Sequence, residues 1–334
     1  MESSAVGIHG NATFTNFEFS FFTLPMYLLF VPIIYIPITV VIILRTLVKL
    51  YFAIQDRNEN IQLFTVISMS SFMSLIIFIS DFFFIRLPTT GIFTSWCARM
   101  KPNRYLTAFF IFKYHINYSA MIFPCAVSTM RLILLLYPTR HKSVINHNQC
   151  FKISFLQLNG RLLRFLLPFL LFYPFLLTFF MFPALGYCSS AKHPFPFGAI
   201  IFRIENTLFG LANSRLLLFI TGFWMTASMI NNWILLVKLI KARCSLSARV
   251  RSQFSYKEER SLTLMTFSMI FFFLSNGIFL ISRFFFPDYL YYAIMFRPFG
   301  NDLVTCVVPW VFYLTHPVFR KKIVRQIFIF RPGA

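Results

Sequence analysis

Acidic charge is what this sequence has least of. Ten Asp and Glu stand against 31 Lys and Arg in 334 residues, charged residues make up 12% of the chain, and 58% is hydrophobic, with 48 Phe. A soluble domain of this length has no core large enough to hide that much apolar surface, so the soluble class is excluded. The cation excess, +21 at pH 7, does not describe a nucleic-acid face, because the Lys and Arg fall between apolar runs instead of clustering among aromatics. Nor does the chain contain a Walker-type glycine loop, a Gly-x-Ser-x-Gly elbow, a His-Glu-x-x-His pair or an intramembrane carboxylate dyad, so an enzyme is not expected. The His residues are scattered without a second ligand three or four positions away, which leaves a metal site or a cofactor without support. The leader has no cationic start and no early apolar centre, and the first span is expected to act as its own insertion signal.

What the chain does have is a series of apolar runs of about 20 residues or more, enough to cross roughly 30 Å of hydrocarbon. They cover residues 26–44, 61–85, 109–136, 165–185, 216–237, 261–282 and 290–314. Each exceeds a barrel strand and none alternates strictly, so helices are predicted. The expected fold is an all-α integral membrane protein, one seven-transmembrane helix bundle. A leader covers residues 1–25, the bundle 26–316 and a tail 317–334. No internal repeat joins the two halves, which argues against a transporter.

Orientation follows from the cations. With the N-terminus outside, the inner segments hold twenty Lys and Arg and the outer ones eight, so the arrangement is expected to be N-out and C-in. Four of the outer cations, Arg86, Arg99, Lys101 and Arg104, fall in the first outer loop and would draw in an anionic ligand by long-range attraction. Asn11-Ala12-Thr13 in the leader is then a glycosylation acceptor. Only Cys97 and Cys188 fall in outer loops, so a disulfide between them is expected, two free thiols being the alternative because the sequence does not place their Cα atoms within bonding range. After the seventh run, Phe319, Ile323, Ile327, Val324 and Phe328 recur at helical spacing with Arg320, Lys321, Lys322 and Arg325 between them. That pattern predicts a short amphipathic helix on the inner membrane surface, held by anionic lipid.

Polar groups inside spans are the default candidates for a ligand site, because leaving them unpaired in hydrocarbon is costly. Asp81, Lys113, His115 and Asn117 fall in the outer halves of the second and third runs. Asn213 and Arg215 begin the fifth, while Arg297, Asn301 and Asp302 lie in the outer half of the seventh. A cavity with aromatic walls is expected among them. The competing reading is structural: Asp81 with Lys113, and Asp302 with Arg215 or Arg297, would be ion pairs that only hold helices together.

At the inner end of the third run, Arg131 is followed seven residues later by Pro138 and a basic loop. Together with the seven runs, the orientation, the two outer cysteines and the tail, this resembles a G-protein-coupled receptor. More narrowly, Ile8-His9-Gly10-Asn11, Asn16-Phe17-Glu18-Phe19 and Pro25-Met26 at the start resemble the nematode serpentine chemoreceptors, class U of the Srg superfamily. Pro309-Trp310 and His316-Pro317-Val318-Phe319-Arg320-Lys321 at the end fit the same group. The resemblance implies a plasma-membrane receptor, sited in sensory-neuron cilia, that binds an external small molecule or peptide and signals to a heterotrimeric G protein. A ligand-gated channel or transporter subunit is the alternative. Arg131 and Pro138 match the arginine and following proline of the Asp-Arg-Tyr motif of rhodopsin-like receptors, but Met130 and Leu132 replace its acid and tyrosine. Glu258 or Glu259 would substitute for the missing acid; otherwise both only balance Lys257 and Arg260 in solvent. The Asn-Pro-x-x-Tyr pattern survives as Pro309 with Tyr313 one residue late, and the sixth run has no proline, Asn276-Gly277 being its weak point.

Overall fold

A backbone in hydrocarbon must satisfy its own N–H and C=O groups, and the helix does so within one segment. The computed structural model describes residues 7–55, 61–136, 168–211, 213–245, 263–264, 268–315 and 319. Seven long helices run through these described residues: α1 (Leu24–Gln55), α2 (Ile61–Asp81), α3 (Arg104–Leu136), α4 (Pro168–Met181), α5 (Asn213–Ser245), α6 (Ile270–Phe285) and α7 (Leu290–Thr315). Three stretches, Leu24–Phe52, Leu63–Thr89 and Asn213–Lys238, are long and apolar enough to cross a membrane, and α4 and α6 are shorter apolar helices. Helices α3 and α7 carry Lys113, Arg131, Arg297 and Asp302, which lower their hydropathy. Pro138, Glu258, Glu259 and the tail from 317 onward, apart from Phe319, lie outside the described residues.

Helix α3 is the central element. It packs against α2 and α5, while α7 packs against α1, α2 and α6. Tyr118, Met121 and Val127 of α3 are wholly buried and share one apolar cluster with Ile67 of α2, Leu217 of α5, Phe273 of α6 and Phe312 of α7. Ser119 Oγ donates to the Leu170 carbonyl at 2.9 Å, which brings α4 alongside. The outward face of α1 leaves Phe30, Ile34, Ile38 and Val41 exposed. So large an apolar face suits lipid rather than water.

The end of the bundle expected to face outward is more ordered than the hydropathy implied. Residues Leu185–Ser190 form β1 and Ile200–Glu205 form β2, an antiparallel pair in which Leu185 meets Glu205 and Ser190 meets Ile200. The expected fourth run thus ends early, its last residue belonging to a strand. Cys97 and Cys188 are joined, with Cα atoms 6.0 Å apart. Cys97 sits on a separate short helix, Thr94–Arg99, and not on α3. Pro102 explains the break, since it lacks an N–H and disfavours helical geometry at Lys101. Asn103 then restarts the helix, its side chain accepting from the Leu106 N–H at 3.0 Å.

The leader adds a third strap. Ile8 N–H donates to the Cys188 carbonyl at 3.1 Å and Gly10 N–H to the Ala98 carbonyl at 2.9 Å. The Phe17 ring lies on Gly198, where an added Cβ would be 2.1 Å from it. Gly186 closes the layer: it exchanges backbone hydrogen bonds with Asn103 at 3.0 and 3.1 Å, and a Cβ there would stand 2.5 Å from the Leu106 Cβ. Gly186→Ala should therefore lower the thermal stability of the purified protein by about 1–3 kcal/mol through overpacking. Gly222→Ala, with nothing within 4 Å, should leave it unchanged or raise it; equal behaviour of the two variants would refute the close-approach argument.

Candidate functional site

Five ionisable side chains gather between α2, α3 and α7, and they divide into three arrangements. Asp81, 3% exposed, ends α2. Lys113 Nζ lies 3.5 Å from one of its oxygens, and the Asn301 side-chain amide donates to the other at 2.6 Å. Ser275 of α6 donates to Asn301 Oδ1 at 3.2 Å, extending the set to a fourth helix.

The second arrangement is Asp302 with Arg86 and Tyr35. Arg86 Nη2 and the Tyr35 hydroxyl both donate to Asp302 Oδ2. Arg86 is buried at 6% exposure, with its guanidinium 4.7 Å from the Phe299 ring centroid. Two expectations are corrected here. Arg86 is not a cation of the outer rim, and the partner of Asp302 is neither Arg215 nor Arg297. The cause is local: α2 continues as a π-helical turn, Phe82–Arg86, whose i→i+5 spacing brings Arg86 round to the inner face that Asp81 occupies. Ordinary helical periodicity hides this. Arg99, Lys101 and Arg104 are exposed.

Arg297 forms the third arrangement. Its Nε and Nη2 donate to Asn276 Oδ1 at 3.1 and 2.8 Å, and its guanidinium lies 4.9 Å from the Phe279 ring centroid. Among the described residues these partners are a neutral amide and a ring face, and neither is a carboxylate.

Above these groups lies a cavity of about 460 Å³, covered by β2 and walled by α2, α3, α5, α6 and α7. Lys113, Asn213 and Arg297 line it, with Phe84, Phe110, Tyr114, Phe202 and Ile294 as apolar wall and Arg203 and Glu205 on the strand above. A narrow cleft beneath is lined by Asp81, Asn117, Lys113 and Arg297. Asn213 Oδ1 accepts from the Tyr118 hydroxyl at 3.0 Å.

The other predicted residues point elsewhere. His115, two positions after Lys113, packs on Phe175 with ring centroids 4.4 Å apart. Arg215, two positions after Asn213, is exposed. Residues two apart on a helix do not share a face. Asn301 supports Asp81 from below, and Asp302 turns to α1. Sequence reasoning missed the strand residues Phe202, Arg203 and Glu205, because nothing placed that loop over the bundle, although the β-branched run Ile200-Ile201 with Ile204 was a signal.

At the opposite end Arg131 is 4% exposed and donates to Thr263 Oγ1 at 3.1 Å. Asn231 of α5 donates to Thr129 Oγ1 at 2.8 Å. Pro309 lies inside α7, and the Tyr313 hydroxyl accepts from Arg45 at 3.3 Å. Asn11 is exposed and its side chain accepts from the Thr13 N–H at 3.0 Å, capping the one-turn helix Ala12–Thr15.

Breaking a buried ion pair by removing one partner costs about 3–5 kcal/mol, whereas replacing both with apolar groups is often neutral. Asp302→Asn should accordingly abolish most surface display, and adding Arg86→Met to Asp302→Leu should restore it. Equal loss in the single and double variants, read by flow cytometry on intact cells, would show that the pair does more than neutralise itself.

Comparison with known proteins bears on this arrangement. The family model described as serpentine type 7TM GPCR chemoreceptor Sru matches residues 8–322. The chain is also 60% identical over 277 residues to Serpentine receptor class U-26 of Caenorhabditis elegans, a match covering 83% of this chain and 91% of that protein.

Proposed function

The chain belongs to the Sru family of serpentine chemoreceptors, a receptor family and not an enzyme family, and on that premise we propose that it is a plasma-membrane receptor whose ligand site is the cavity beneath β2. The observation that carries the reading is a ligand-sized, aromatic-walled space at the outer end of the bundle with charged groups at its floor. The chain is one seven-transmembrane domain, N-terminus outside, and its amphipathic tail lies on the inner leaflet. The bonded pair of Cys97 and Cys188 fits an outer, oxidising side, which also makes Asn11 a glycan acceptor.

Signalling runs to a heterotrimeric G protein from the inner end. Arg131, held by Thr263 next to α6, is the switch residue, with Pro138, Pro309 and Tyr313 in the same role and Glu258 or Glu259 as its acidic partner. An external ligand that prefers one of two helix arrangements shifts the population towards the state that opens this end. Lys113, Asn213 and Arg297 are the ligand contacts, and Asp81, Asn117 and Asn301 position them.

Topology is the first test. A tag on the leader should be reached by antibody on intact cells and a tag after Ala334 only after permeabilisation; both tags on one side, or the inverse, would overturn the orientation. Arg131→Ala should abolish G-protein activation while preserving surface display. Normal signalling from that variant would remove its assigned role.

A further inference from the structure

We propose that the cavity takes a ligand with a single anionic group and an apolar body, the anion seated against Arg297. The proposal rests on the reading of the cavity as the ligand site and adds the ligand's charge to it. The argument is a count of buried charge. Asp81 is matched by Lys113 at 3.5 Å, and Asp302 is matched by Arg86. Over the cavity, Arg203 and Glu205 carry opposite signs, and Arg283 of α6, which also lines it, is half-buried and makes an interaction of its own. Among the described buried charges at this depth, Arg297 is the cation without a carboxylate partner: it is 7% exposed, and its partners are the Asn276 amide and the Phe279 ring.

A neutral amide oxygen and a ring face solvate a guanidinium less well than water or a carboxylate does, so a buried arginine so held retains much of its desolvation cost. A carboxylate or similar monoanion entering from above replaces a neutral acceptor with a charged one and adds ion-pair attraction to a bond in which only the donor was charged. Arg297 lines both the cavity and the cleft below it, so the anion meets it at the deep end. The aromatic and aliphatic wall then takes the remainder of the molecule. A second anionic group would find Glu205 above and Asp81 below, and a cationic ligand would add to the excess already there.

The test uses the full-length receptor in lipid nanodiscs and matched probes that differ only in charge: 4-phenylbutyrate with its methyl ester, and decanoate with decanol. Ligand-induced thermal stabilisation across a concentration series gives the affinities. The expected result is a preference of about tenfold or more for each carboxylate, retained in Arg297→Lys and in the exposed control Arg215→Gln, and lost in Arg297→Gln. Equal affinity within both pairs, or a carboxylate preference that survives Arg297→Gln, overturns the proposal. If Arg297→Gln does not yield monodisperse protein, Asn276→Asp, which gives Arg297 a carboxylate of its own, takes its place and should likewise lose the preference; a preference that survives there overturns the proposal. Saturable binding of ester and alcohol as strong as that of the acids keeps the cavity as a ligand site and refutes its charge selectivity, whereas a wild-type receptor that takes no member of either pair refutes the cavity reading underneath.

Discussion

Buried charge in a medium that solvates it poorly is the constraint that orders this bundle. Asp81 and Asp302 cannot stay ionised between apolar helices unless cations and donors surround them. Each therefore draws in groups from distant parts of the chain: Lys113, Asn301 and Ser275 around one, Arg86 and Tyr35 around the other. These contacts bring α1, α2, α3, α6 and α7 together at one depth, and they do so with a directionality that Phe and Leu packing lacks. The apolar cluster nearer the inner end, around Tyr118, Met121 and Phe273, supplies contact area. The charges determine which helix faces meet.

The outer cap solves a different problem. A cavity at the end of a bundle needs a roof, and this roof, with only a small apolar cluster of its own around Ile8, Phe14, Leu106 and Ile200, must also be tied down. Three connections accomplish this: the Cys97–Cys188 bond, the backbone exchange between Asn103 and Gly186, and the leader running from Ile8 to Phe17 across both. Each lands on the hairpin or next to it. The hairpin in turn holds Phe202, Arg203 and Glu205 over the cavity, so the same strand that closes the space contributes to its chemistry.

Much of this was legible in the sequence, and the limits have physical causes. Long apolar runs report helices well, because a span must be both long and hydrophobic; α1, α3, α5 and α7 start or end within a few turns of the expected positions. Cys97 and Cys188 were legible as a pair because only they fall in the loops expected outside. The partner of Asp302 was not, because the π turn at Phe82–Arg86 shifts the phase of the helix by less than one turn, and no composition signal marks such a turn. His115 and Arg215 lie away from the cavity for a simpler reason. Polarity along a span identifies depth, whereas the face a residue presents depends on rotation about the helix axis, which two-residue spacing reverses. The hairpin was hidden because Pro194 and Pro196 and the polar residues around them resemble an ordinary loop.

The arrangement also limits how an occupant of the cavity could be felt elsewhere. A ligand shifts an equilibrium between helix arrangements only through contacts that differ between them. Most polar groups at this depth are committed to charged partners on other helices, and exchanging those would expose a buried ion. Arg297 differs, since its bond to Asn276 is to a neutral acceptor on α6, immediately before Gly277. Ser275, one residue earlier, is pressed against Gly300 of α7, where an added Cβ would lie 2.4 Å from the serine Cβ. The same short stretch of α6 is thus both the partner of the surplus cation and a close contact with α7 at Gly300. Thr263, seven residues before α6 begins, accepts from Arg131. Replacing Asn276 as the acceptor for Arg297 removes a tie between α6 and α7 at the position where glycine makes α6 easiest to bend, and Thr263, the partner of Arg131, precedes that same helix in the chain.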